Sequence, residues 1–355
     1  MKKVVLLLLV GVMIMSFGFA SNKMKVGLIY IGPVGDAGWT YSHDLGRQYL
    51  VKHLGDKIEA TYIENVPEGQ EAAGVIRSLA ARGYKIIFAT SFGYMDPMLQ
   101  VAAQFPNTVF MHCSGYKTAP NMGTYFGRMY QPRFLSGLIA GAMTKTNKIG
   151  YVAAHPIPEV IRGINAFTLG VRAVNPNAKV HVIWTNTWYD PATEKEAALS
   201  LLSLGCDVLT QHQDSPATLQ AAQEKGAYAI AYNTDMSKFA PKAYLTAPIW
   251  NWGPFYVKTA EQVLNGTWKS EQYWGGMKDK TIDLAPMSKL VPESVQKLVL
   301  QLKQDIINGK FKVFSGPIYD QNGELKVKAG EIISDADLLS MNWFVDGVAG
   351  SIPKQ

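Results

Sequence analysis

Cysteine is nearly absent, with only Cys113 and Cys206 in 355 residues. They form no C-x-x-C, which excludes a thioredoxin-like redox pair and a cysteine-rich zinc site. Each lies in an apolar, strand-like run, so both are read as buried free thiols. A disulfide, which an oxidising compartment permits, is the alternative. Histidine is also sparse: His43, His53, His112, His155, His181 and His212 include no short-spaced ligand pair, so no metal is expected. There is no G-x-S-x-G elbow to mark a serine hydrolase. Charged residues are only 17% of the chain, and the formal net charge of +6 is spread without a basic tract, so nucleic acid is not an expected partner. After the first twenty residues, no run is long and apolar enough to cross a bilayer.

Those twenty, MKKVVLLLLVGVMIMSFGFA, place two lysines before an apolar stretch that ends in small residues. This pattern predicts a secretory leader cut after Ala20. A retained membrane anchor is the rival, disfavoured because the run is short and has no stop-transfer pattern. No cysteine stands at the cleavage point to take a lipid, so a freely diffusing periplasmic protein is expected. Losing Lys2 and Lys3 with the leader lowers the formal charge from +6 to +4.

The length exceeds one ordinary core and predicts two domains. Apolar strands are expected near 25–31, 58–64, 85–90, 108–113 and 122–126, with helices beginning near Trp39, Gly69 and Met95. After a helix near 133–144 the rhythm restarts at Lys148, with strands near 180–184, 207–211, 227–232 and 244–247. Helices near 159–174, 193–204 and 216–225 separate these. Such alternation predicts an α/β protein with two doubly wound parallel-sheet domains. A further helix near 254–264 precedes an irregular tail of roughly ninety residues, which could cross back and complete both domains. The expected division is a leader over 1–20, one lobe over 24–146 plus about 250–270, and another over 147–249 plus part of 271–355. The absence of a flexible linker implies close hinge segments.

Ligands of open parallel sheets bind beyond the carboxyl ends of the strands, so the loops there are the candidate site. In GPVGDAGWTY, Gly32, Gly35 and Gly38 are spaced wrongly for a dinucleotide fingerprint, and Asp36 would repel a phosphate. Asp36 reads either as a helix cap or as an acceptor for a ligand, and Trp39 offers a flat face. TSFGYMDP brings Phe92 and Tyr94 to the next loop. Trp188, after a strand of the second domain, could sandwich a planar ring against Trp39. Asp214 in HQDSPA reads as a helix cap or as a ligand acceptor, whereas Asp235 in NTDM reads as a ligand acceptor. In APIWNWGPFY, one tryptophan is expected in the cleft and one at the hinge, with Trp252 preferred for the cleft and Asn251 offering an amide. His112 and His212 stand near strand ends, where a structural role is the default.

GLIYIGPVGDAGWTY, FATSFGYMDP, TWYDPATEKEAA, QHQDS and NTDM, in this order, resemble the basic membrane protein family of solute-binding proteins, relatives of bacterial purine nucleoside receptors of ABC transporters. The likeness runs from about Lys25 to Phe311. It implies two α/β lobes of the type I periplasmic binding protein kind, closing on a purine held between aromatic rings. The family's Asp-x-x-Phe-Asn loop matches Asp36, Trp39 and Thr40, which implies that Trp39 stacks and Asp36 bonds the base edge. The second stacking ring falls at Trp188, and Asp214 and Asp235 fall where polar contacts are expected. Nucleoside receptors of the family carry a lysine near the ribose, where this chain has Pro248-Ile249-Trp250-Asn251-Trp252. Bulky rings there imply the branch with adenine-type nucleobase ligands, delivered to a membrane permease without any cofactor. A purine nucleoside receptor, a periplasmic enzyme acting on nucleosides through Asp36 or Asp214, and a ligand sensor are the alternatives.

Overall fold

In a computed structural model describing residues 23–353, the expected alternation becomes two parallel sheets. The proposed leader lies outside the described residues. The first sheet is built from β1 (Met24–Ile29), α1 (Trp39–Leu54), β2 (Ile58–Ile63), α2 (Gln70–Ala81), β3 (Ile86–Ala89), α3 (Met95–Ala102), β4 (Val109–Cys113) and β5 (Met122–Gly127). The chain then passes through α4 (Tyr130–Met143) into β6 (Lys148–Ala153), α5 (Pro158–Val174), β7 (Lys179–Trp184), α6 (Pro191–Ser203), β8 (Val208–His212), α7 (Ala217–Glu224) and β9 (Tyr228–Ile230). Next come β10 (Pro248–Trp250), α8 (Gly253–Leu264), β11 (Gln272–Gly275), β12 (Ile282–Leu284), α9 (Glu293–Ile307), β13 (Ile318–Tyr319), β14 (Leu325–Val327), α10 (Asp335–Leu339) and β15 (Val348–Ala349).

The first sheet has the order β11-β5-β4-β3-β1-β2 and the second β15-β7-β6-β8-β9. Every pairing in both sheets is parallel. The sequence reason is visible in β3: Ile86 and Phe88 point into one core while Ile87 and Ala89 point into another. A parallel strand buried on both faces has no polar side, so it reads as an unbroken apolar run. The tail completes both sheets, β11 pairing with β5 and β15 with β7.

Two expectations change. The tail is not irregular throughout, since it holds the fifteen-residue α9. Its apolar residues Val295, Val299, Leu302 and Ile306 recur at helical spacing, the signal that marks an amphipathic helix. The strand expected over 244–247 is replaced by an isolated bridge from Tyr244 to Ala229, and the regular strand is β10, antiparallel to β12. Between β9 and β10 the backbone turns at Asn233, whose φ of 72° breaks an extended path. Cys113 and Cys206 are both free and buried.

Helices α4 and α5 pack with their backbones nearly touching. A Cβ on Gly137 would strike the Phe167 carbonyl, and one on Gly170 would strike the Phe134 carbonyl. Among the described residues no helix is long and apolar enough to cross a membrane.

His112, at the end of β4, is fully buried with Nε2 2.8 Å from the Ser91 carbonyl oxygen. Burial lowers its pKa to about 4. An unfolded histidine titrates near 6.5, so the stability His112 contributes is complete above that pH and is lost as pH falls towards 4. Between pH 7.5 and 5, urea unfolding of the wild type should lose about 2 kcal/mol more than that of His112→Gln. Parallel pH profiles for the two proteins would exclude this origin.

Candidate functional site

The loop after β1 is organised by Asp36. Its Oδ1 accepts from the backbone N–H groups of Gly38 at 2.8 Å and Tyr41 at 2.9 Å, and Oδ2 accepts from Thr40 N–H at 2.8 Å. These are the orphan donors at the start of α1, so Asp36 acts as the helix cap. Burial pushes its pKa up to about 6, against the pull of these three donors. The cap places Trp39 in the first turn of α1, and its indole N–H donates to the Thr90 carbonyl at 2.6 Å. With that group used, Trp39 has only its ring surface to offer a ligand.

Trp39 is held from behind by a column of stacked rings. His43 and Trp252 lie 4.8 Å apart at 6°, and Trp252 and Trp250 lie 4.6 Å apart at 13°. Trp39 meets all three edge-on, at 4.4 Å from His43, 5.4 Å from Trp250 and 5.9 Å from Trp252. The two late tryptophans therefore face the same way, contrary to the expected split, because a turn between β10 and α8 brings the second ring back over the first.

At the end of β10, Trp250 donates its indole N–H to Asn233 Oδ1 at 2.9 Å, and Asn233 donates its amide to Asp214 Oδ1 at 2.9 Å. Asp214 is buried, and its N–H donates to the Trp188 carbonyl at 3.3 Å. The Asp214 carboxyl does not cap α7, which starts without a side-chain cap. Burial, reinforced by Asp36 and Glu194, raises its pKa well above the carboxylate range. Asp36, with three N–H donors, is thus better compensated as an anion than Asp214, which has one amide.

Trp39, Phe92, Trp188 and Asp214 line one narrow cavity between the carboxyl ends of the two sheets. Ile31, Ser91, Ser114, Glu159, His212 and Tyr232 complete its wall. Five of these six lie at or just after a strand's carboxyl end, and Glu159 is in the first turn of the helix that follows β6. The general rule for open sheets covers them: the sequence already places His212 near a strand end, and Glu159 is the carboxylate of HPIPE after β6. His212 Nε2 stands 3.4 Å from Glu159 Oε1.

The other sequence candidates lie away from the cavity wall. Asp36 and Thr40 are buried one layer behind it. Tyr94 is a core residue whose hydroxyl donates to the Val66 carbonyl, and Trp252 is 1% exposed within the ring column. Asp235 is exposed and accepts from Ser237 N–H at 2.9 Å, while exposed Asn251 donates to the Lys280 carbonyl at 2.9 Å. Among the described residues no group of three or more His, Cys, Asp or Glu could hold a metal ion.

The family model described as "ABC transporter substrate-binding protein PnrA-like" matches residues 23–315. A purine-binding protein of Brucella abortus is 47% identical over 344 residues, covering 97% of this chain and 98% of its own length. A Haloferax volcanii protein named as an ABC transporter glucose-binding protein is 42% identical over 333 residues, 94% of this chain and 82% of its own. The solved structure of an ABC transporter solute-binding protein from Aeropyrum pernix superposes with a TM-score of 0.73 at 18% identity, over 81% of this chain and 92% of that one. At that identity the likeness concerns the fold alone.

Two contacts join the sheets across the mouth of the cavity. The Thr234 hydroxyl donates to the Ala37 carbonyl, and Gly38 abuts the backbone of Asp214 so closely that a Cβ would collide with its carbonyl. Gly38→Ala should keep the lobes from meeting. Any ligand that contracts the wild type in small-angle X-ray scattering should contract this variant less; equal contraction would remove the contact from the closing motion.

Proposed function

The chain belongs to the family of PnrA-like ABC transporter substrate-binding proteins, and on that premise we propose that it captures a free purine nucleobase of the adenine type and delivers it to a membrane permease. Proteins of this family normally act outside the cytoplasm, in keeping with the proposed leader. The observation that carries the reading is that Trp39 from one lobe and Trp188 from the other line a single cavity, with Phe92 beside them. A planar heteroaromatic ring is the ligand best suited to such walls, and stacked pairs add about 0.5–1.5 kcal/mol beyond burial.

The polar groups fit a base edge. A purine presents neighbouring N–H donors and ring-nitrogen acceptors. Asp214, with one oxygen engaged by Asn233 and its pKa raised, can give a hydrogen bond through the other, and the Glu159 carboxylate can receive one. The ring column that includes Trp250 occupies the segment where nucleoside receptors of the family carry a lysine, which favours a base over a nucleoside. Closure would be driven by the ligand's higher affinity for the closed form. No covalent step is part of the proposal.

The glucose-binding name of one relative supports a second reading, in which Glu159 and Asp214 accept sugar hydroxyls beside an aromatic face. Calorimetric titration of ligand-stripped protein with adenine, adenosine and glucose separates the readings. Adenine is expected to bind tightest, and Trp39→Ala or Trp188→Ala to weaken it about a hundredfold, ~3 kcal/mol. Tighter adenosine would make the protein a nucleoside receptor, and binding of glucose alone would make it a sugar receptor.

A further inference from the structure

Four glycines lie on α4 and α5, the tightly packed helix pair, in places where their reasons can be compared. A Cβ on Gly137, Gly141 or Gly170 would meet the partner helix's backbone, at Phe167, Val171 and Phe134. Gly163, in the interior of α5, has no such reason: a Cβ there would find nothing closer than 3.6 Å. Glycine is less favourable than alanine inside a helix, so this position keeps space at a cost.

The three atoms nearest that space are all polar: Tyr151 Oη at 3.6 Å, Arg133 Nε at 3.8 Å and His212 Nδ1 at 3.8 Å. Their side chains are 0%, 0% and 4% exposed, so all three are well over nine-tenths buried. None of the three atoms has a hydrogen-bond partner among the described residues. Buried polar atoms are rarely left unpaired, and a water with about three hydrogen bonds is the usual remedy. The chemistry is complementary: Arg133 Nε–H donates, His212 Nδ1 accepts, and the Tyr151 hydroxyl does either.

We propose that the space beside Gly163 is a hydration site for one ordered water, and that this water positions His212 so that Glu159 presents its carboxylate to an N–H donor of the ligand. Burial lowers the pKa of His212 and keeps its imidazole neutral, with one N–H. A water donating to Nδ1 places that N–H on Nε2, the atom 3.4 Å from Glu159 Oε1. Both residues line the cavity. Glu159 is thus a specificity-determining residue, and His212 and the water are positioning groups. The ligand part rests on the purine reading; the hydration site does not.

The test combines a high-resolution crystal structure of the whole protein with nitrogen-15 histidine NMR and adenine titration. The wild type should show one water within hydrogen-bond distance of Tyr151, Arg133 and His212, and His212 as the Nε2–H tautomer. Gly163→Ala, whose methyl occupies the space, should lose the water, lose the tautomer preference and bind adenine about tenfold more weakly. Glu159→Gln should weaken adenine while leaving the water in place. A dry site or an Nδ1–H tautomer in the wild type overturns the hydration site. Unchanged adenine affinity in both variants overturns the role in recognition. A wild type with the water and tautomer but no purine affinity supports the hydration site and refutes the purine reading instead.

Discussion

The stacked column of His43, Trp252 and Trp250 is the constraint on which the cleft depends. It joins the first helix of the chain to the segment that crosses back after the second sheet, residues more than two hundred positions apart in the sequence. Trp39 stands perpendicular to all three rings and has its indole N–H tied to Thr90, so it has no freedom to leave the cavity wall. Edge-to-face contacts of this kind are favourable because the positive ring edge meets a negative face. The last ring of the column also reaches the opposite wall, through the Trp250–Asn233–Asp214 chain. One set of aromatic contacts therefore fixes a ring in one lobe and a carboxyl group in the other. Complete burial of His43 lowers its pKa and keeps the ring at the column's end neutral.

That dependence explains what could be read from the sequence and what could not. The α/β alternation was legible because strands buried on both faces are continuous apolar runs, as in IIFA of β3. Trp39, Phe92, Trp188 and Asp214 were legible because they follow strand ends, where a doubly wound fold opens. Tyr94 follows a strand end too, but a single turn of 3-10 helix swings its ring into the core. Trp252 was misplaced because no local pattern reveals that it stacks on a helix two hundred residues earlier. Asp235 and Asn251 are polar at strand ends yet satisfy nearby backbone, the commonest use of such side chains. Glu159 and Tyr232 gave no motif, and His212, near a strand end in QHQDS, read as structural by default; the three meet only when the strand ends of the second sheet come together.

Electrostatics gives the cleft its second constraint. Asp36 and Asp214 belong to different lobes and influence each other when these meet. Two ionised carboxylates could not share so buried a place, and the structure resolves the conflict unequally. Asp36 is compensated by three backbone N–H groups, while Asp214 has one amide and its pKa is raised. Burial is the first cause of the raised Asp214 pKa, and the Asp36 carboxyl on the other lobe adds to it.

Several polar atoms around the cavity are already engaged from behind. The Trp39 N–H is held by Thr90, one Asp214 oxygen by Asn233, and the His212 imidazole by Glu159. Groups immobilised in advance lose little entropy when a ligand arrives, so little of the contact free energy goes into ordering the site. The lobes meet at Thr234–Ala37 and Gly38–Asp214. An aromatic ligand between Trp39 and Trp188 touches both walls and is worth more in the closed form than in the open one. On the proposed reading, one stacking ring on each lobe would supply the differential that drives closure, whereas a site with both rings on a single lobe would bind the same ligand without moving.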